Sequence, residues 1–240
     1  MADRLTPILA ARRLIFSSRK VFLPIPSGAL VLEVGSGDSP SPRANILLDL
    51  TLENRERVGG RTVIDRPLVI GQTEKLPFRD KAFGYAIAFH VLEHIPDPNQ
   101  FLSELQRVAS AGYIETPSFW AENLQPLRMH RLQVGVDSDA DGPFLLIRKK
   151  SQPVPDPVLA RAFDLKLKQT SSLRALPPEA WVTRYYWKDK IRWRITNPEA
   201  DASWELPQDD ILPDDYNPRS SLRKAMIAAA GFVFGLLRHR

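Results

Sequence analysis

The chain has no cysteine at any of its 240 positions. That excludes a disulfide framework and any thiolate metal centre, and it points to a reducing compartment, the cytoplasm, as the protein's setting. Long apolar runs are missing too. Near the start, Arg12, Arg13 and Arg19 break every apolar stretch before it reaches the length of a signal peptide. Residues 225–237 form an unbroken apolar run. As a helix that run would measure about 20 Å against a hydrocarbon core of about 30 Å, too short to span a bilayer. Arg223 and Lys224 precede it and Arg238 and Arg240 follow it. Two readings of this tail stay open: a terminal helix docked on protein, or a helix in peripheral contact with a membrane surface.

The middle of the chain also lacks a basic excess. Net charge is +5 overall, yet residues 1–30 carry five Lys/Arg against one Asp, and residues 219–240 carry five against none. The 188 residues between them therefore sum to −4. An enzyme of nucleic acids would concentrate positive charge around its active site, so this distribution argues against DNA or RNA as substrate.

What is present is an alternation of strand and helix signals. Apolar residues at helical spacing over residues 5–16 predict a helix ahead of the first strand. Strands are expected at 29–34, 46–50, 63–70 (broken by Pro67), 85–89 and 112–115. A helix is expected at 98–109, with Phe101, Leu102, Leu105 and Val108 on one face. Strands and helices in alternation with short links build a mostly parallel sheet. Proline-rich breaks at 152–157, 177–178 and 206–218 section the C-terminal third, and 184–187 with 190–194 read as a hairpin around Lys188-Asp189. The expected division is an N-terminal helical segment (1–28) covering the sheet, a core (29–150), an extension packed on it (151–218) and the basic-flanked helix (219–240).

The first strand runs as V-L-E-V into G-S-G-D at 35–38. Glycines at a strand's C-terminal end let the backbone turn tightly and approach a ligand with no Cβ in the way. By itself this is a generic nucleotide-pocket signal. A nicotinamide-type fingerprint is disfavoured, because the third glycine position is Pro40 and the acidic residue, Asp49, arrives sooner than the usual spacing of about 20 residues.

Five motifs in order carry a resemblance: E-V-G-S-G at 33–37, L-L-D at 47–49, G-Q-T-E-K-L-P-F at 71–78, F-H-V-L-E-H at 89–94 and G-Y-I-E-T-P at 112–117. Over residues 28–120 the chain resembles a class I S-adenosylmethionine-dependent methyltransferase of the small-molecule branch that includes quinone-biosynthesis enzymes. The resemblance implies a Rossmann-like α/β fold with a mostly parallel seven-stranded sheet, helices on both faces and S-adenosylmethionine as cofactor. It implies methyl transfer to a small-molecule, glycan or lipid-linked acceptor, and leaves a catalytically silent binding module as the alternative.

By the same resemblance Glu33, Gly35, Ser36 and Gly37 would wrap the methionine end of the cofactor. Asp49 and Leu50 would meet the ribose, and Gln72, Thr73 and Glu74 the adenine, with Phe89 and His90 closing the site. His94 is the first candidate for a general base, against a plain loop-anchoring role, and His130 the second, against an anion-binding or surface role. The chain departs from the family's pattern in Gln72, in Gly84 and in the short link from Gly37 to Ile46, which shortens the first helix to a turn.

Two metal patterns compete with this reading. His90-x-x-Glu93-His94 matches a zinc-protease signature, but it begins at a strand end and runs into Pro96 and Pro98. Asp137-x-Asp139-x-Asp141-Gly142 resembles a calcium loop, but its twelfth position is Arg148, which favours a hairpin turn. No metal ligand set is assigned from the sequence.

Overall fold

In a computed structural model of the protein, residues 18–52, 62–124, 126–152 and 177–205 are described. The expected helices at 5–16 and 219–240 lie outside them. The main sheet has six strands: β1 (Val31–Val34), β2 (Ile46–Asp49), β3 (Leu68–Ile70), β4 (Tyr85–Phe89), β5 (Ala111–Pro117) and β8 (Val182–Lys188), in the order β3-β2-β1-β4-β5-β8. The first five are parallel and β8 runs antiparallel at the edge. The strand order reverses between β1 and β4. At such a switch point, the crevice beyond the strands' carboxyl ends is where ligands bind in open α/β sheets.

β1 and β4 are buried at every position, which is why both read as continuous apolar runs and not as alternations. One face of the sheet is covered by α1 (Pro98–Val108). Asp97 caps this helix by accepting from the Asn99 and Gln100 amides at 3.0 and 3.1 Å, with Pro98 in the first turn. Phe101, Leu102, Leu105 and Val108 then fall on one stripe and are fully buried. Each contributes about 1.5–3 kcal/mol by leaving water.

A second sheet, β6 (Leu132–Asp139), β7 (Gly142–Lys149) and β9 (Trp193–Ile195), joins the same core through Leu132, Val134, Leu145 and Ile147. On the opposite face of the main sheet, Leu23 packs with Val31, Tyr85, Ile87, Phe89 and Tyr113. The stretch just before the first strand therefore covers that face.

The structure revises the sequence reading in two places. The described residues give six strands in the main sheet and three in a separate one, in place of a single seven-stranded sheet. The hairpin at 184–194 does not form: β8 pairs with β5 and β9 with β7, leaving only a Lys188–Lys190 bridge between the two segments. Part of the supposed extension is thus an integral edge of the main sheet. By contrast, Asp139 to Gly142 does turn a hairpin between β6 and β7, with Arg192 bonded to Asp139 at 2.7 and 2.9 Å, so the calcium-loop reading falls. The link from β1 to β2 contains turns and no helix. Gly84 also has a steric reason, since a Cβ there would sit 2.8 Å from that of Ala29.

Candidate active site

The carboxyl ends of β1 to β4 converge on one edge of the sheet. Gly35 and Gly37 follow β1 with φ of 66° and 60°, in the left-handed region that side chains disfavour. At Gly35 there is also no room, because a Cβ would stand 2.3 Å from Val91 Cγ2. The Gly35 amide donates to Leu48 O at 2.8 Å, and Gly37 O accepts from Val63 at 2.9 Å.

Asp49, 1% exposed at the end of β2, ties the turn to its neighbour strand. Its Oδ2 accepts from the Gly37 amide at 2.9 Å and its Oδ1 from the Leu50 amide at 2.7 Å. A carboxylate oxygen has two lone pairs, so the same side chain is also able to accept from a ligand's hydroxyls. The Leu50 and Ile70 side chains at the ends of β2 and β3 are 57% and 51% exposed. They offer an apolar wall beside Asp49. After β3, Gln72 is exposed, while Thr73 is buried and donates to Glu74 Oε2 at 2.7 Å.

Glu33 lies beneath the turn. Its Oε2 accepts from the Ser41 amide at 2.5 Å, and Lys20 Nζ stands 3.9 Å from Oε1. Burial pushes this carboxyl up to about 7, with Lys20 and the Ser41 bond pulling the other way. Both Glu33 Oε1 and Ser36 Oγ are buried with no hydrogen-bond partner. Polar atoms so placed are costly unless something fills the cradle.

Across β4 and β5 lies a second polar cluster. Arg19 grips Glu115 through Nε to Oε2 at 2.7 Å and Nη2 to Oε1 at 2.5 Å, and Tyr113 donates to Oε2 at 2.6 Å. His90, at φ 54°, sets Nε2 3.2 Å from Glu115 Oε1 and Nδ1 3.2 Å from Glu93 Oε1. Burial of the ring opposes its protonation, but bonds to the two carboxylates outweigh it and raise the pKa to about 9. One side of the ring still meets solvent, at 42% exposure. Burial would likewise raise Glu115, yet Arg19 and His90 hold it far below the usual carboxylate range. Phe89 turns inward against Tyr113, with Lys20 Nζ 4.5 Å above its ring.

A third cluster follows directly. The short turn Leu92–His94 after β4 is pinned to the segment before β6 by Arg131 N donating to Glu93 O at 2.6 Å. The rings of His94 and His130 meet edge to face, centroids 4.8 Å apart. His130 is 4% exposed, which overturns a surface role, and its Nδ1 lies 2.6 Å from Glu122 Oε2. Glu122, on α2 (Phe119–Leu124), is in turn bonded by Lys150. Burial first, and His130 second, push His94 down to about 4.

Residues 33–114 match the family model described as a methyltransferase domain. The match spans about a third of the chain and implies S-adenosylmethionine as the cofactor. The chain is also similar to solved structures. One is an S-adenosylmethionine-dependent methyltransferase of Thermotoga maritima, with 16% identity, 49% of this chain and 57% of that one covered, and a TM-score of 0.32. Another is from Mesorhizobium loti, with 19% identity, 52% and 60% covered, and a TM-score of 0.34. A third is the [4+2]-cyclase SpnF, with 23% identity, 45% and 46% covered, and a TM-score of 0.32. The chain thus spans less than two thirds of the length of each. No curated protein matches its sequence.

The residues of the matched segment suit that cofactor on their own chemistry. The left-handed Gly35 and Gly37, the unpartnered Ser36 Oγ and a buried Asp49 at the neighbouring strand end fit a ligand carrying an amino-acid moiety and a ribose. The cofactor residues expected from the sequence, Glu33, Gly35, Ser36, Gly37, Asp49, Leu50, Gln72, Thr73, Glu74, Phe89 and His90, all lie at or just beyond the ends of β1 to β4. The rings of the two histidines named as base candidates, His94 and His130, are in contact.

Several residues of this edge were missed in the sequence. Val63 and Ile70 are plain apolar residues with no motif. Arg19, Tyr113, Glu122 and Lys150 gain meaning only through partners up to 96 residues away. Glu115 stood inside a quoted motif, but nothing local marked it as the hub of three side chains, Arg19, Tyr113 and His90.

Proposed function

We propose that the protein transfers a methyl group from S-adenosylmethionine to a small-molecule, glycan or lipid-linked acceptor by in-line displacement. The observation that carries this is the Asp49 carboxylate, buried where β1 and β2 end and bonded to the Gly37 and Leu50 amides. It fixes a cofactor cradle at the sheet's switch point. Gly35 to Gly37 and Ser36 Oγ hold the methionine end, Asp49 takes the ribose hydroxyls, and Leu50, Ile70 and Thr73 flank the adenine.

The bound cofactor supplies an electrophilic methyl on a positively charged sulfur. What the chain contributes is alignment and exclusion of water. Holding two reactants in line is worth about 7–11 kcal/mol, against about 3–5.5 kcal/mol for a general base. Where an acceptor oxygen or nitrogen loses a proton, His94 and His130 are the candidates to receive it, His94 being held neutral by burial. The charge arrangement disfavours nucleic acid, and the basic-flanked tail leaves contact with a membrane surface open for a lipid-linked acceptor.

Titration calorimetry with S-adenosylmethionine tests the cradle: binding with a marked loss in Asp49→Ala is expected. Absence of binding by the wild-type chain would leave only a silent binding module of the same fold. Incubation with labelled cofactor and fractionated cell extract then identifies the acceptor.

A further inference from the structure

The chain has four histidines, and three of them, His90, His94 and His130, meet around one carboxylate, Glu93. Glu93 is 1% exposed. Its Oε1 is held by His90 Nδ1 at 3.2 Å, whereas its Oε2 is buried with no hydrogen-bond partner. One ligand atom each of Glu93, His94 and His130 lies within 4.8 Å of the others. We propose that Glu93, His94 and His130 form a binding site for a divalent transition-metal ion of the zinc class.

The donor set selects the ion's class. Two imidazoles and one carboxylate suit zinc, iron, cobalt or nickel, whereas magnesium and calcium want oxygen ligands throughout. Support around the ligands follows the pattern metal sites use, in which the far nitrogen of a ligating histidine is bonded to a carboxylate or a backbone carbonyl. His130 Nδ1 is set by Glu122 Oε2 at 2.6 Å, and Glu122 by Lys150. The His94 ring bonds the Met129 backbone. His90 does the same service for Glu93 from the other side.

Metal–nitrogen and metal–oxygen bonds of about 2.0–2.2 Å require the three atoms to draw inward from their present spacing. His94 is the least buried of the three. Solvent access on its side leaves coordination positions for water or for an oxygen of the ligand. Resting on the methyl-transfer reading, that oxygen belongs to the acceptor, and the two histidines then act on it through the ion and not as free bases. The metal site itself does not depend on that reading.

The test uses the untagged full chain, stripped with a chelator, with neither cofactor nor acceptor present. Cobalt(II) titration followed by visible absorption should show one ion per chain, displaced by zinc. Zinc should raise the thermal midpoint where the same concentration of magnesium does not. Glu93→Ala and His130→Ala should lose at least 100-fold in affinity, and Glu122→Gln 10- to 100-fold with the ligand set intact. His94→Ala, at a partly exposed position, carries the same test should either buried variant fail to fold. No stoichiometric binding by the wild-type chain, or undiminished binding in His94→Ala and His130→Ala, overturns the site. Metal binding without S-adenosylmethionine binding would separate it from the methyltransferase reading.

Discussion

Arg19 holds both oxygens of Glu115 across 96 positions of sequence, from the segment before β1 to the end of β5. Glu115 is fully buried, so its charge depends on that guanidinium, with help from Tyr113 and His90. The pair also anchors the chain that covers this face of the sheet. Lys20 next to it donates to Ser39 O at 2.6 Å, and Ser41 Oγ donates to Lys20 O at 2.8 Å, so the covering segment reaches the loop beyond the glycine turn.

Arg19→Met should therefore destabilise the protein by about 3–5 kcal/mol, since it strands a buried carboxylate. Arg19→Met with Glu115→Gln should recover much of the loss, because the stranded charge is gone. Urea denaturation of the two variants decides it, and equal losses in both would mean that the ion pair is not what holds the segment.

Glu33 sets a pH dependence of opposite sign to that of an ion-paired carboxylate. Its folded value is raised to about 7 from an ordinary 4.5. Below that window both folded and unfolded chains hold the proton. Within it only the folded chain does, so stability falls as pH rises from 4.5 to about 7 and the buried group ionises. The full effect is about 3 kcal/mol. Glu33→Gln has no proton to lose and should show a flatter profile over that range. Parallel profiles for the two proteins, measured by denaturation without cofactor, would contradict this.

The parts of the fold readable in sequence are those with a local cause. The β4 strand shows in an unbroken apolar run buried on both faces, and α1 in an Asp-Pro cap followed by an apolar stripe. The glycine turn is legible because φ near 60° leaves few residue types to choose from. The placement of β8 was not, because alternation at 184–187 says that a strand exists and nothing about its partner. Two neighbouring strands read naturally as a hairpin, yet Trp187 and Tyr185 are buried against the core from the edge of the main sheet while β9 joins β7. The histidine cluster shows the same limit. His94 and His130 were each singled out, but Glu93 and Glu122 become partners only when α2 and the segment before β6 fold back on the turn after β4.

Gly35 faces two separate obstacles to replacement. Alanine there would need φ of 66°, costing about 1–2 kcal/mol, and its Cβ would meet Val91 Cγ2 at 2.3 Å, adding about 1–3 kcal/mol of overpacking. Val91→Ala removes the obstructing methyl. In that background the added cost of Gly35→Ala should drop to the backbone share, a coupling readable from four chemical-denaturation curves. Strict additivity would show that the side-chain collision is relieved by a shift of the turn instead.

Asp49 performs two jobs, and one substitution separates them. Asn keeps a carbonyl oxygen able to accept from one of the Gly37 and Leu50 amides, but it loses the charge that strengthens every bond to the carboxylate. Bonds to charged groups contribute about 1.5–3 kcal/mol each, so loss of one such bond to the ribose predicts S-adenosylmethionine affinity lower by about 10- to 150-fold. The remaining amide contact should keep the turn folded, with a thermal midpoint closer to wild type than that of Asp49→Ala. Calorimetry and thermal unfolding on the same two variants give the answer. Unchanged affinity in Asp49→Asn would assign the carboxylate to the turn alone and move ribose recognition to another residue of the strand ends.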